Sequence, residues 1–345
     1  MRKSAISSQG TSNLVRLSQL RATAGPGPVL ILTHDNPDPD ALASGKALAT
    51  LLSRAWHIPS RLAYSGTVAR ADNRSVLKHL TPEWEHQDLL NDLDRYSAVA
   101  LVDTQPGAGN NRLPSTFVPH IAIDHHHPIR ETIGTVKYTD IQPEVGSTVT
   151  LLYEYLEMAE IDIDPVLATA MFYGLKTDTR GLSRGASPAD ESAYIKLLSH
   201  LDHKLLVSVE FAGLDRDYFR ALNQGLGVAW LFGRAIVARL GKLKWPDQCA
   251  EIADVLIRFE DAHAVLCQGE HDGILNLSMR TKFMEEDAGQ LVQRVVVSPG
   301  KAGGHGSMAG GQVPLVGTTA DQMMEEIETR FLKAVHEEGE GELLL

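Results

Sequence analysis

Within seven residues, the stretch HDNPDPD brings together His34, Asp38 and Asp40, with Pro37 and Pro39 between them. Imidazole nitrogen and carboxylate oxygen without thiolate make a donor set for Mn²⁺ or Mg²⁺, and one that Co²⁺ or Zn²⁺ can also use. The prolines hold the segment extended. In an extended chain, residues two apart point the same way, so Asp38 and Asp40 could face one cavity and each serve a different cation. Taken alone, an Asp-Pro-Asp turn that caps a helix is the blander explanation. Three further candidates change the balance: Asp103, His125 and Asp178. Four carboxylates in one place would repel and raise one another's pKa. One ion cannot use them all, whereas two ions about 3.5–4 Å apart need a bridging carboxylate and two flanking sets.

The elements that must position these residues are legible. Val29-Leu30-Ile31-Leu32 is a short apolar run, the pattern of a strand buried on both faces of a parallel sheet, and ALASGKALATLL after Asp40 reads as a helix. The runs 97–102 and 120–123 are of the same type, and they end in Asp103 and in Asp124-His125-His126-His127. Buried strand ends ordinarily run into Gly, Ser or Asn turns, so three that end in metal-capable groups point to a site at the carboxyl edge of an open α/β sheet. A helix is expected over 13–22 and is broken by GPGP. Others are expected over 143–160, whose Gly-Ser-Thr entry suits either a phosphate or an ordinary cap, and over 164–176, ahead of TDTRG.

Strands then helices resume from about Gly225: GRAIVARLG, QCAEIADVLIRF, HAVLCQ, GILNLSMRT, DAGQLVQRVVV and a last helix near 319–337. This is the pattern of a second, smaller α/β domain. It contains the run PGKAGGHGSMAGGQVP, read as a glycine-rich loop, and Arg280 at a strand end. Gly303, Gly304 and His305 would let backbone approach a ligand and present one imidazole, and Arg280 could grip a phosphate. The acidic tail EEGEGE reads as frayed.

Bulk properties narrow the classes. With 43% hydrophobic and 22% charged residues among 345, the chain is an ordinary globular protein of about two domains. A net charge of -12 argues against a general basic surface for long duplex nucleic acid. A small phosphorylated substrate stays compatible, because bound cations reverse the field locally. Cys249 and Cys267 give neither a metal motif nor a disulfide framework, no signal peptide is evident, and no apolar run spans a bilayer. A cytoplasmic location is therefore expected.

HDNPDPDALAS, LVD, DHHH and TDT together resemble the four motifs of the DHH phosphoesterase superfamily, and SMRT with GGHGSMAGG resembles the DHHA1 domain of its RecJ-like branch. The resemblance covers about residues 28–335. It implies a DHH catalytic domain over 1–195, a helical linker over 196–225 and a DHHA1 substrate domain over 226–345, with the active site in the cleft between the domains. It also implies two divalent ions, Mn²⁺ foremost with Mg²⁺ or Co²⁺ as substitutes. His34, Asp38 and Asp103 would hold one, and Asp40, Asp103, His125 and Asp178 the other, with Asp103 bridging. His126 would meet the scissile phosphate or act as an acid, and His127 has no assigned role. Arg280, Gly303, Gly304 and His305 would bind substrate. Ala302 stands where the family usually has a glycine.

The expected activity is hydrolysis of short phosphorylated nucleotides by a hydroxide that two metals activate, as in the oligoribonuclease/pAp phosphatase group. Two alternatives stay open: an inorganic pyrophosphatase or exopolyphosphatase-like hydrolase, and a silent nucleotide-binding module. Oligomeric state, a homodimer included, is also open.

Overall fold

The computed structural model describes residues 14–86, 92–282, 287–296 and 298–345, and the chain divides into two compact units, 1–212 and 213–345. The first opens with α1 (14–24), then β1 (Val29–Leu32), α2 (Pro39–Trp56), β2 (Ser60–Tyr64), α3 (Ala71–His79) and β3 (Trp84–His86). After these come β4 (Ala98–Val102), β5 (Ile121–Asp124) and β6 (Tyr138–Ile141), and four helices close the unit: α4 (Thr148–Met158), α5 (Pro165–Asp178), α6 (Pro188–Leu198) and α7 (His203–Glu210). The six strands form one parallel sheet in the order β3-β2-β1-β4-β5-β6. The chain runs outward from β1 through β2 to β3 and then returns to β4 on the other side of β1. The carboxyl ends of β1 and β4 thus flank the topological switch point, where open α/β sheets form their crevice.

Burial explains the runs. β1, β4 and β5 are buried at every position, as strands covered on both faces must be. Helix α2 starts where Pro39 fixes its first turn and the Asp38 carboxylate accepts from Ala41 N at 3.0 Å. It buries Leu42, Leu48, Leu51 and Leu52, at roughly 2 kcal/mol of apolar transfer each. Its close neighbour α5 carries Gly174, where an added Cβ would lie 2.9 Å from Pro39 O. That approach brings the last turn of α5, with Asp178, beside the first turn of α2, with Asp40.

The second unit contains α8 (Arg216–Gly227), β7 (Ala229–Phe232), β8 (Ala235–Lys242), α9 (Gln248–Leu256), β9 (Ala264–His271) and β10 (Ile274–Thr281). It continues with α10 (Ala288–Val295), β11 (Lys301–His305), β12 (Met308–Pro314), α11 (Ala320–Ala334) and β13 (Glu342–Leu343). Its sheet runs β11-β12-β10-β9-β8-β7-β13, with β8 and β9 parallel and the other pairs antiparallel. One core gathers residues of α10 and α11, and a second is built on α9.

Several expectations change here. The glycine-rich run is not a loop: β11 and β12 pair as a hairpin. Gly304 is fixed by that pairing, because a Cβ there would meet Met308 O at 2.3 Å. The acidic tail ends in a strand, β13, which pairs with β7. The stretch 196–225 is divided, α7 lying in the first unit and α8 in the second. Short strands β3 and β6 escape a reading by apolar runs because each mixes buried with exposed or half-buried positions. Among the described residues, no helix is long and apolar enough to cross a membrane.

Candidate metal centre

The first unit brings its candidate ligands together. His34 lies just beyond β1, Asp103 just beyond β4 and His125 just beyond β5, while Asp38 and Asp40 open α2 and Asp178 ends α5. Three groups have ligand atoms within 4.8 Å of one another: His34, Asp38 and Asp103; Asp40, His125 and Asp178; and Asp103, His125 and His126. His34 Nε2 is 3.4 Å from Asp103 Oδ2 and 3.9 Å from Asp38 Oδ1. His125 Nε2 is 3.1 Å from Asp178 Oδ2 and 3.8 Å from both Asp40 Oδ2 and Asp103 Oδ1. Asp103 is the one acid common to two of the groups, and its two oxygens point to different histidines.

Each histidine is oriented from behind. His34 Nδ1 bonds Asp35 O at 2.9 Å, and His125 Nδ1 bonds Val145 O at 3.2 Å. A carbonyl can only accept, so both Nδ1 atoms carry a proton and both Nε2 atoms face the carboxylates, where each could ligate a metal that displaces its proton. His125 Nε2 is buried without a hydrogen-bond partner. A buried polar atom left so costs on the order of 1–3 kcal/mol, and a cation among the surrounding oxygens would satisfy it.

Asp40 is held differently. Its Oδ1 accepts from Ser147 Oγ (2.7 Å), Val149 N (2.9 Å) and Ser44 Oγ (3.2 Å), and its Oδ2 from Thr148 N (2.8 Å). The carboxylate therefore occupies the amino terminus of α4, which removes the phosphate reading of that helix end. Oδ2 keeps a lone pair for the side of His125. Asp103 takes Thr148 Oγ1 at 2.8 Å and sits in left-handed backbone, φ 61°, with its amide on Ile123 O at 2.9 Å. Such a conformation costs a non-glycine residue on the order of 1 kcal/mol, and surrounding contacts must hold it.

The electrostatics are those of a site built for positive charge. Burial opposes ionisation of Asp40, and the nearby Asp103 and Asp178 add to it, pushing its pKa well above the carboxylate range. Burial alone would lower His34 and His125. Asp103 and Asp38 outweigh it at the first, and Asp178, Asp103 and Asp40 at the second, raising both well above the usual imidazole value. Protons stand where divalent ions would replace them. The all-nitrogen-and-oxygen donor set fits Mn²⁺ or Mg²⁺.

His126 faces outward. Its Nδ1 bonds Asp124 Oδ1 at 2.8 Å, and Gln105 Nε2 holds the other Asp124 oxygen at 2.8 Å. Burial lowers its pKa, but the bond to Asp124 and the charge of Asp103 win and push it up to about 9. Gln105 and Asp124 do not announce themselves in sequence as supports. The signal was the position of Asp124 at a strand end, directly before two histidines. His127 joins none of the three groups.

The remaining candidates belong to the second unit. Arg280 is buried in β10, with Nε on Asp254 Oδ1 at 2.6 Å and Nη1 on Ser278 Oγ and Met279 O at 2.7 and 3.0 Å. Nη2 makes none of these bonds. Gly303 is open, with nothing within 4 Å of an added Cβ, whereas Gly304 is packed against β12. The backbone of His305 ends β11, and its side chain lies outside the described residues.

Comparison with known proteins agrees with the geometry. Residues 28–175 match the DHH family, N-terminal domain. An uncharacterized protein of Methanocaldococcus jannaschii is 34% identical over 297 residues, which are 84% of this chain and 58% of that protein. The chain thus spans little more than half the length of that relative. The bifunctional oligoribonuclease and PAP phosphatase of Thermus thermophilus is 26% identical over 329 residues, 90% of each chain. The crystal structure of an exopolyphosphatase-related protein from Bacteroides fragilis shares the fold, with a TM-score of 0.73, 14% identity and coverage of 93% of this chain and 96% of that one. With the motifs converging on one sheet edge and the family match beginning at β1, residues 28–175 of this chain form a DHH-family N-terminal domain.

Proposed function

We propose that this protein hydrolyses phosphoester bonds in short phosphorylated nucleotides, with two divalent cations held at the carboxyl edge of its parallel sheet. The observation that carries this is the buried, unpartnered His125 Nε2 among three carboxylates, next to a second triad that shares Asp103. His34, Asp38 and Asp103 would hold one cation. Asp40, His125, Asp178 and the other oxygen of Asp103 would hold the second, both being Mn²⁺ or Mg²⁺. Bound there, the pair would supply Lewis-acid charge for a phosphoryl oxygen and a water made acidic enough to attack.

The protein's own residues supply the rest. His126, held by Asp124 and protonated at neutral pH, presents its ring to solvent as a cationic donor for the scissile phosphate or the leaving oxygen. The Nδ1 bonds of His34 and His125 fix the tautomers that ligation needs. In the second unit, Nη2 of Arg280 is the anion-binding candidate, with Gly303, Gly304 and the His305 position on the hairpin β11–β12 that pairs with its strand. The substrate class rests on the likeness to the Thermus thermophilus enzyme over nine-tenths of both chains.

One parallel assay tests it. Chelated protein is given Mn²⁺ and then, separately, 3′-phosphoadenosine 5′-phosphate, a 5′-phosphorylated dinucleotide, a longer RNA, pyrophosphate and polyphosphate. Turnover should be highest on the first two. Preference for pyrophosphate or polyphosphate would make this a small-anion hydrolase, and binding without turnover would make it a silent nucleotide module.

A further inference from the structure

We propose that Asp190, outside every family motif in the sequence, is a positioning residue of the metal centre. The inference rests on the two-cation reading above. Asp190 opens α6 and is fully buried. Its Oδ2 accepts from Gly146 N (2.8 Å), Ser187 N (2.7 Å) and Ser187 Oγ (2.6 Å), and its Oδ1 accepts from Thr150 Oγ1. The two bonds from Ser187 stay within the α6 cap: that from Ser187 N is one half of its capping box, and Asp190 N on Ser187 Oγ is the other half. The other two reach across to the segment 145–150 and serve no helix cap of their own.

That segment holds three of the candidate ligands. Val145 O receives His125 Nδ1, Ser147 Oγ and the Thr148 and Val149 amides bind the Asp40 carboxylate, and Thr148 Oγ1 binds Asp103. Asp190 grips it at Gly146 and again at Thr150, on either side of the residues that touch Asp40 and Asp103. A buried carboxylate with four donors is a rigid anchor, because each charge-assisted bond is strong and the group has no solvated alternative. Losing it would free the segment to shift, and the His125 ring and Asp40 carboxylate would shift with it. Among the described residues this segment reaches the first cation group through the shared Asp103, whereas in the second it holds Asp40 and His125 as well, so the effect should fall mainly on the second group.

The test is calorimetric titration of the full chain with Mn²⁺ alone, beside thermal denaturation. Asp190→Asn keeps the shape but puts an amide nitrogen against N–H or O–H donors. It should weaken one of the two Mn²⁺ events by roughly 10–100-fold, the usual consequence of losing a group that supports metal ligands, and leave the other within about threefold. Ser187→Ala, which breaks the α6 cap but not the grip on 145–150, should lower the melting temperature and leave both events unchanged. If Asp190→Asn does not fold, Thr150→Val decides. It removes one of the two links and should weaken the same event by about threefold or more. Unchanged Mn²⁺ affinities in folded Asp190→Asn, or in Thr150→Val if that is the only folded variant, overturn the proposal and leave Asp190 as a helix cap. Wild-type protein that takes up no Mn²⁺ overturns the two-cation reading itself, and this proposal with it.

Discussion

The two sheets treat their charged residues in opposite ways. At the carboxyl edge of the first, Asp40, Asp103 and Asp178 face one another across His125, with Arg184 on Asp178 Oδ1 at 3.3 Å as a cationic partner at the margin, and a ring nitrogen stays unsatisfied. In the second, buried Arg280 already has a counter-charge in Asp254 and two oxygens of its own strand. Residues that complete one another internally have a structural reason to be there. A cluster of like charges that does not must be completed from outside. The first edge is therefore suited to a cation, whereas Asp254 and the strand oxygens already give Arg280 Nε and Nη1 a structural role.

This contrast can be broken by mutation. Asp103→Asn removes the charge common to two of the ligand groups and should lower kcat on the order of 10³-fold or more, with the far-ultraviolet circular dichroism unchanged. Near-normal turnover in folded, Mn²⁺-saturated protein would show that Asp103 is not the bridge. Arg280→Ala should act on both fold and function. Losing the ion pair with Asp254 and the bonds to Ser278 and Met279 should cost about 2 kcal/mol of stability in a urea titration. Well below the melting transition, kcat/KM for 3′-phosphoadenosine 5′-phosphate should fall on the order of 10²-fold if Nη2 grips phosphate. A stability loss with unchanged kcat/KM would assign Arg280 to the fold alone.

The smallest effect concerns pH. His126 is raised to about 9, and His34 and His125 are raised as well. A group raised on folding contributes stability that is complete below its unfolded pKa, about 6.5 for imidazole, and is lost as pH climbs through the folded value. Asp40, raised too, adds a loss of the same sign. Metal-free protein should therefore lose stability between about pH 6.5 and 9, by about 5 °C in the melting point of the first unit. Mn²⁺ replaces protons on His34 and His125, so the melting-point increase it gives should grow over the same interval. An increase that is flat with pH would contradict this assignment of the protons.

What was legible in the sequence follows from how far each feature depends on neighbours in the chain. β1, β4 and β5 are continuous apolar runs buried on both faces, and each leads into a metal-capable group, so both the strands and the ligands could be read directly. The hairpin β11–β12 could not. Glycine reads as loop, and only the close approach of Met308 O to Gly304 shows why a strand pair needs it. The end of α4 reads equally well as a phosphate site or a cap until Asp40, more than a hundred residues earlier in the chain, is seen on its amides. Gln105 and Asp190 were missed for the same reason, since their partners are distant in sequence and their residue types are common on surfaces.

The most direct test is to crystallise the protein with Mn²⁺ and measure anomalous scattering at the manganese edge. Two peaks are expected in the first unit, one bounded by His34, Asp38 and Asp103 and the other by Asp40, His125 and Asp178, with Asp103 touching both. A well-ordered, Mn²⁺-saturated crystal with no peak at either triad would contradict the metal centre.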